Sequence, residues 1–181
     1  MKYLIVCGGK TDKEFGLNEI KTDGIDAIIA ADSGMDFLYE NGVTPDIIVG
    51  DFDSATTKAL EFFERKGQTE IHRLNPIKDD TDTEYAIRLA IREGARSIVM
   101  LGATGSRIDH VLGNISLLGI GLESGTDISI IDTNNRIRMS DKPVTIEKSA
   151  QYGRFVSLIA VTDDNEVSLR GFKYPVTDYS F

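Results

Sequence analysis

The chain has 181 residues, 41% hydrophobic and 27% charged, which is typical of a globular protein with one ordinary domain or one domain and a small second one. A net charge of −9, from 20 Lys and Arg against 29 Asp and Glu, argues against a nucleic-acid partner, which requires a basic face. We expect a cytoplasmic protein without a membrane partner, because no apolar stretch reaches membrane-spanning length and the N-terminus has no signal-peptide pattern.

Short apolar runs alternate with helical patterns over the first part of the chain. Continuous runs bounded by Gly or Pro are typical of strands buried on both faces of a parallel sheet. The predicted strands cover residues 3–7, 27–31, 47–49, 70–74 and 97–101. The run 70–74 alternates in polarity, so we expect it nearer an edge. The pattern predicts an α/β fold with a mostly parallel sheet flanked by helices.

Carboxylates follow two of these predicted strands. Asp32 comes after the second strand, and Asp51 and Asp53 come directly after the third. Ligands bind at the carboxyl ends of strands in such sheets, and a divalent cation such as Mg²⁺ would relieve the repulsion between neighbouring carboxylates. The alternative is structural: Asp51 as a turn residue, and Asp53 or Ser54 as the N-cap of the next helix.

A second charged stretch precedes an amphipathic helix and contains Lys78, Asp79 and Asp82. Thr81 and Glu84 have the spacing of a capping box, which explains one cap but does not require the other three residues. Helix N-termini also bind phosphate through free N–H groups, and a lysine adds a positive charge there.

A glycine-containing turn after the fifth predicted strand leads into a helix with an apolar stripe over 108–122. At about 100° per residue, Arg107, His110 and Asn114 fall on one adjacent stripe. Asp109 points elsewhere and is a candidate N-cap. We interpret the polar stripe as the wall of a site rather than a solvated face.

The pattern changes after residue 125. Residues 128–131 and 136–139 flank a turn and predict a hairpin, and 144–146, 155–161 and 166–169 predict further strands without helices between them. We therefore predict two domains: residues 1–140 form the α/β part, and 141–181 form a smaller all-β part of the sandwich type.

Four motifs of this chain resemble those of the thiamin pyrophosphokinase family. They are Asp32-Ser33-Gly34, Pro45-Asp46 with Gly50-Asp51-Phe52-Asp53-Ser54, Lys78-Asp79-Asp80-Thr81-Asp82, and Gly102-Ala103-Thr104-Gly105-Ser106-Arg107-Ile108-Asp109-His110. Their order and spacing match, and the resemblance covers nearly the whole chain. Ser106 stands where the family commonly has glycine. The family also continues beyond this C-terminus with strands that line the thiamin pocket, so we expect an incomplete β part and weak thiamin binding.

The resemblance implies transfer of the pyrophosphoryl group of ATP to the hydroxyl of thiamin, with AMP released and Mg²⁺ as cofactor. It implies a homodimer in which the α/β part of one subunit and the β part of the other form each site. The implied catalytic residues are Asp51, Asp53, Asp79, Asp82 and Arg107, of which the four aspartates are also the implied metal ligands. The implied nucleotide-binding residues are Asp32, Ser33, Lys78, Thr104, Arg107, Asp109, His110 and Asn114.

Three other functions share part of this pattern. An Asp-x-Asp after a buried strand also occurs in haloacid-dehalogenase phosphatases, but these need Thr or Val where this chain has Ala55. A nucleotide-sugar transferase would use a metal-binding Asp-x-Asp without needing Lys78 or Arg107. A nucleotide-binding module without turnover would have the same pocket, and only an assay of thiamin-dependent AMP formation separates it from the enzyme.

Overall fold

The computed structural model describes residues 1–53, 56–75, 80–163 and 165–180. The strands are β1 Lys2–Val6, β2 Ala27–Ala31, β3 Ile47–Gly50, β4 Glu70–Arg73, β5 Ser97–Leu101, β6 Asp127–Ile131, β7 Arg136–Arg138, β8 Glu166–Leu169 and β9 Val176–Ser180. The α-helices are α1 Lys13–Ile20, α2 Gly34–Glu40, α3 Thr57–Lys66, α4 Asp82–Arg92, α5 Ile108–Ser116 and α6 Leu118–Ser124.

Seven strands form one sheet in the order β4-β3-β2-β1-β5-β6-β7. All neighbours are parallel except β7, which is antiparallel to β6 and completes the predicted hairpin. This arrangement confirms the predicted fold class, and β4 lies at an edge as its alternating sequence indicates. Because the strand order runs outward from β1 in both directions, a topological switch point lies between β1 and β5, where such sheets bind ligands.

Both faces of the sheet are covered, which explains the apolar runs. Side chains alternate along each strand, so Ile5 belongs to one core cluster and Leu4 to the other. Helix α4 covers the Ile5 face with Ala86 and Ile87, whereas α2 and α3 cover the Leu4 face.

Helix boundaries correct three expectations. The N-cap of α3 is Thr56 rather than Asp53, and the N-cap of α5 is Arg107, which places Asp109 in the first turn. The Thr81 half of the capping box predicted for α4 forms, because the Thr81 hydroxyl accepts the Glu84 N–H over 3.1 Å, whereas the Glu84 carboxylate accepts from the Arg88 guanidinium. The apolar pattern over 108–122 predicted one helix, but it is divided into α5 and α6 at Leu117.

Two of the strands predicted in the C-terminal part do not form. Residues 144–146 and 155–161 have no strand, and a 3₁₀ helix at Lys148–Ala150 precedes the antiparallel pair of β8 and β9. A strand requires a hydrogen-bonded neighbour, and the apolar residues there face outward: Phe155 is 83% exposed and Ile159 85% exposed. Within the described part of the chain, no helix is long and apolar enough to cross a membrane.

Candidate active site

Three carboxylates converge at the carboxyl edge of the sheet. Asp32, Asp51 and Asp53 each offer one carboxylate oxygen, and these three oxygens lie within 4.8 Å of one another. The strand pairing explains this proximity, since Ala31 of β2 lies opposite Val49 of β3 and the aspartates follow directly. The Asp32 N–H also donates to the Val49 carbonyl over 2.7 Å, which fixes the two strand ends together.

The backbone at this cluster adopts conformations that non-glycine residues seldom use. Asp32 has φ 48° and Phe52 has φ 64°. Such residues cost about 1–3 kcal/mol each and persist where the surroundings constrain them. The Asp53 N–H donates to Asp51 Oδ1 over 3.2 Å, and the Arg73 guanidinium lies 5.3 Å from the centre of the Phe52 ring. These contacts hold the left-handed turn that places Asp51 and Asp53 on the same side.

The donor set suits a hard divalent cation. Asp32 and Asp51 are half-buried and Asp53 is exposed, so the cluster offers carboxylate oxygens at a solvent-accessible position. Mg²⁺ prefers oxygen ligands and keeps several of its waters, so one or two protein carboxylates and a phosphate complete its coordination. Among the described residues, this is the one group of three acidic, histidine or cysteine side chains close enough to share an ion.

Glycines bring the loops after β1, β2 and β5 into close contact. A Cβ on Gly34 would overlap the Val6 carbonyl oxygen, and one on Gly9 would overlap the Gly102 carbonyl oxygen. Gly102 itself has φ +66°, a left-handed conformation in which a side chain would be strained. The main chain can therefore approach a ligand closely at this edge.

A cleft of about 320 Å³ lies at the same edge of the sheet as the cluster, between the loops that follow β1, β5 and β6. It occupies the switch point of the sheet. Its described lining residues are Lys10, Thr11, Asp12, Phe15, Leu101, Gly102, Thr104, Gly105, Ser106, Ile131, Asp132, Thr133 and Asn134. Of these, only Thr104 is among the site residues predicted from the sequence. Lys10 and Asp132 each follow a buried strand, and this position could have identified them as residues of the cleft.

Hydrogen bonds shape the far wall of the cleft. The Thr104 hydroxyl donates to Asp132 Oδ2 over 2.7 Å, and the Asn134 N–H donates to Asp132 Oδ1 over 2.8 Å. Partial burial opposes ionisation of Asp132, but these hydrogen bonds outweigh it and hold the pKa of the carboxyl below its ordinary value. Asn114 donates from Nδ2 to the Ala103 carbonyl over 2.9 Å, so its amide fixes the β5 loop.

The start of α5 carries an exposed charged group. Arg107 pairs with Asp109 at 2.6 Å, and His110 Nε2 lies 3.8 Å from the same carboxylate. The hydrogen bond from Arg107 lowers the pKa of the Asp109 carboxyl. All three side chains are more than half exposed and accessible to a ligand at this edge.

The remaining predicted site residues are divided between two locations. Ser33 is the N-cap residue of α2, beside Gly8, and Asp82 begins α4 outside the three-carboxylate cluster. Lys78, Asp79 and Ser54 lie outside the described residues.

Comparison with known families gives two matches along the chain. The model of the thiamin pyrophosphokinase catalytic domain matches residues 21–130, and the model of the thiamin pyrophosphokinase vitamin B1 binding domain matches residues 143–181. The thiamine pyrophosphokinase of Bacillus subtilis (strain 168) is 36% identical over 152 residues, which are 83% of this chain and 70% of that protein.

Solved structures agree with these matches. The crystal structure of thiamine pyrophosphokinase from Bacillus subtilis has a TM-score of 0.86 at 32% identity and covers 99% of this chain and 84% of that chain. Thiamin pyrophosphokinase from Geobacillus thermodenitrificans has a TM-score of 0.79 at 27% identity, with 100% and 83% of the two chains covered. These likenesses give no support to the phosphatase, sugar-transferase or non-catalytic alternatives.

Proposed function

The chain belongs to the thiamin pyrophosphokinase family, and we propose that its acidic cluster and adjoining cleft transfer the pyrophosphoryl group of ATP to the hydroxyl of thiamin. The products of this reaction are thiamin diphosphate and AMP. The observation that carries the proposal is the convergence of Asp32, Asp51 and Asp53 within 4.8 Å at the carboxyl edge of the sheet.

Asp32, Asp51 and Asp53 would hold Mg²⁺, which when bound would neutralise negative charge on the phosphate groups of ATP. Asp79 and Asp82 are further candidate ligands from their sequence motif. In the reaction, the thiamin oxygen bonds to the β-phosphorus while the bond from that phosphorus to the oxygen of AMP breaks. The hydroxyl proton passes to a carboxylate of the site.

The cleft suits the nucleoside half of ATP. Phe15 and Ile131 offer apolar surface for a base, and Lys10 is the cation among its described lining residues. The acidic cluster follows β2 and β3, which lie on the β1 side of the cleft. We propose that a nucleotide in the cleft extends its phosphates in that direction. Ser33, Thr104, Asn114, Asp109 and His110 remain proposed nucleotide-site residues.

Arg107 and Lys78 would neutralise the phosphate charge that the carboxylates repel. The exposed guanidinium of Arg107 suits bidentate contact with a phosphate. In the structure it is paired with Asp109, so an arriving phosphate competes with one exposed carboxylate.

We further propose a cytoplasmic homodimer in which residues 141–181 form a β part that contacts thiamin bound at the partner's cluster. The exposed apolar side chains of this segment, such as Phe155 and Ile159, support a subunit contact. Sedimentation equilibrium tests the dimer, and a monomer at enzyme concentrations used in assays would contradict it.

The direct test of function is AMP formation from ATP with and without thiamin. We expect AMP and thiamin diphosphate in equal amounts, and neither product with Asp51→Asn. Release of inorganic phosphate without dependence on thiamin would contradict the proposal.

A further inference from the structure

Asp36, on α2, joins that helix to the segment that carries two of the site carboxylates. The Thr56 N–H donates to both Asp36 carboxylate oxygens, over 3.3 and 3.2 Å, and the Thr56 hydroxyl donates to Asp36 Oδ1. Thr56 is the N-cap residue of α3, and its own side chain makes no capping bond. The Asp36 carboxylate therefore binds the N-cap residue of α3 from a different helix, as the N3 residue of a capping box does within one helix.

The position of this contact relates it to the acidic cluster. Asp32 lies four residues before Asp36, in the turn that leads into α2, and its carbonyl accepts the Met35 N–H over 3.2 Å, which links it to the start of the helix. The chain between β3 and α3 carries Asp51 and Asp53 and reaches Thr56 at its far end. At its near end, the chain is held by the hydrogen bond from the Asp32 N–H to the Val49 carbonyl. The Asp36–Thr56 contact is the second anchor, on the other side of the carboxylates.

Two anchors matter because residues 51–53, the described part of this segment between β3 and Thr56, have an unfavourable conformation. Their carboxylates repel the Asp32 carboxylate, and Phe52 has a φ of 64° that costs free energy. With only the strand-side anchor, both effects favour movement of Asp53 away from Asp32.

We propose that Asp36 is a positioning residue that holds Asp51 and Asp53 at the distance from Asp32 required to share a divalent cation. The inference rests on the proposed metal site. It assigns to Asp36 no contact with the ion, since it is outside the group of three carboxylates. Groups that orient metal ligands in this way typically contribute roughly 10- to 100-fold in affinity or activity.

The test measures Mn²⁺ binding by the loss of the free-ion electron paramagnetic resonance signal, together with melting temperatures with and without Mg²⁺. We expect Asp36→Ala to weaken Mn²⁺ binding roughly 10- to 100-fold. Asp36→Asn keeps an oxygen acceptor and a donor for the Thr56 hydroxyl. Its Mn²⁺ affinity should stay close to that of the unaltered chain. Thr56→Ala removes only the hydrogen bond from the Thr56 hydroxyl. It should weaken Mn²⁺ binding less than Asp36→Ala does.

Asp46→Ala is the matched control. The Asp46 carboxylate accepts the Ile28 N–H over 2.8 Å, so it also joins the segments of β2 and β3, but at the opposite edge of the sheet. We expect it to lower the melting temperature without changing Mn²⁺ affinity. Asp36→Ala with lowered stability but unchanged Mn²⁺ affinity would overturn the inference, because Asp36 would then be only a helix cap.

If Asp36→Ala does not fold, Thr56→Ala decides: weaker Mn²⁺ binding supports the inference and unchanged binding overturns it. Absence of Mn²⁺ binding by the unaltered chain is a different result. It would contradict the proposed metal site itself, before any question about Asp36 arises.

Discussion

The Tyr152 hydroxyl donates a hydrogen bond to the backbone carbonyl of Asp132 across 2.5 Å. The Arg136 guanidinium lies over the Tyr152 ring, 4.9 Å from its centre, and the ring packs against a core cluster of the sheet. Burial raises the pKa of the Tyr152 phenol, with the negative charge of Glu19 adding to it, so the hydroxyl stays a donor. The C-terminal segment is thereby attached to the loop that lines the cleft.

Tyr152→Phe should reduce the free energy of unfolding by about 0.5–1.5 kcal/mol, because one hydrogen bond is lost while the ring remains. We also expect a higher KM for ATP, since the Asp132 loop loses its outer support. Denaturant unfolding and steady-state kinetics measure the two effects. Tyr39→Phe, on α2 and away from the cleft, is the control, and an unchanged KM in both variants would contradict the coupling.

Asp132 should make the stability of the folded chain depend on pH in the acid range. Hydrogen bonds lower the pKa of the Asp132 carboxyl in the folded chain. Its contribution to folding stability is therefore fully present above the ordinary carboxyl pKa of about 4. This stabilising contribution is lost as the pH falls through the lowered pKa of the folded chain. Asp132→Asn should therefore flatten the acid-side decline in melting temperature, measured from pH 6 to 2 in about one-unit steps. An identical decline in both proteins would contradict this assignment.

Gly34→Ala tests the close approach between β1 and α2. The added Cβ would overlap the Val6 carbonyl oxygen in the central strand, so we expect a loss of about 1–3 kcal/mol in unfolding free energy. Gly113→Ala is the control, because no atom lies within 4 Å of its added Cβ and alanine favours a helix by about 0.5–1 kcal/mol. Urea denaturation of both variants gives the comparison. Equal stability would show that β1 and α2 can separate at little cost.

Asp51→Asn separates a metal ligand from a structural turn residue. The asparagine oxygen can still accept the Asp53 N–H, and one negative charge leaves the cluster. We therefore expect the metal-free melting temperature to stay equal or rise, whereas the increase caused by Mg²⁺ and the turnover should both be lost. Thermal melts with and without Mg²⁺ measure this. A variant that melts much lower yet turns over normally would identify Asp51 as a structural residue.

The α/β part could be predicted from sequence because burial on both faces gives each central strand an apolar run. Residues 27–31 and 97–101 coincide with β2 and β5, and the carboxylates that follow β2 and β3 meet as expected. Helix α1, from Lys13 to Ile20, was not predicted, because it buries only Gly16 completely and has little apolar periodicity.

The cleft and the C-terminal part were harder to predict for a different reason. Lys10 and Asp132 lie in loops far apart in sequence, and only the strand order brings them together. Residues 155–161 have the composition of a strand, but strand formation depends on a neighbour, which local sequence does not specify.

Anomalous diffraction from crystals grown with Mn²⁺ and a non-hydrolysable ATP analogue would test the proposed active site most directly. We predict an anomalous peak within coordination distance of Asp51 and Asp53, with Asp32 beside it and the nucleoside in the cleft lined by Lys10 and Thr104. A nucleotide bound elsewhere, or an ion that contacts none of the three carboxylates, would contradict the account.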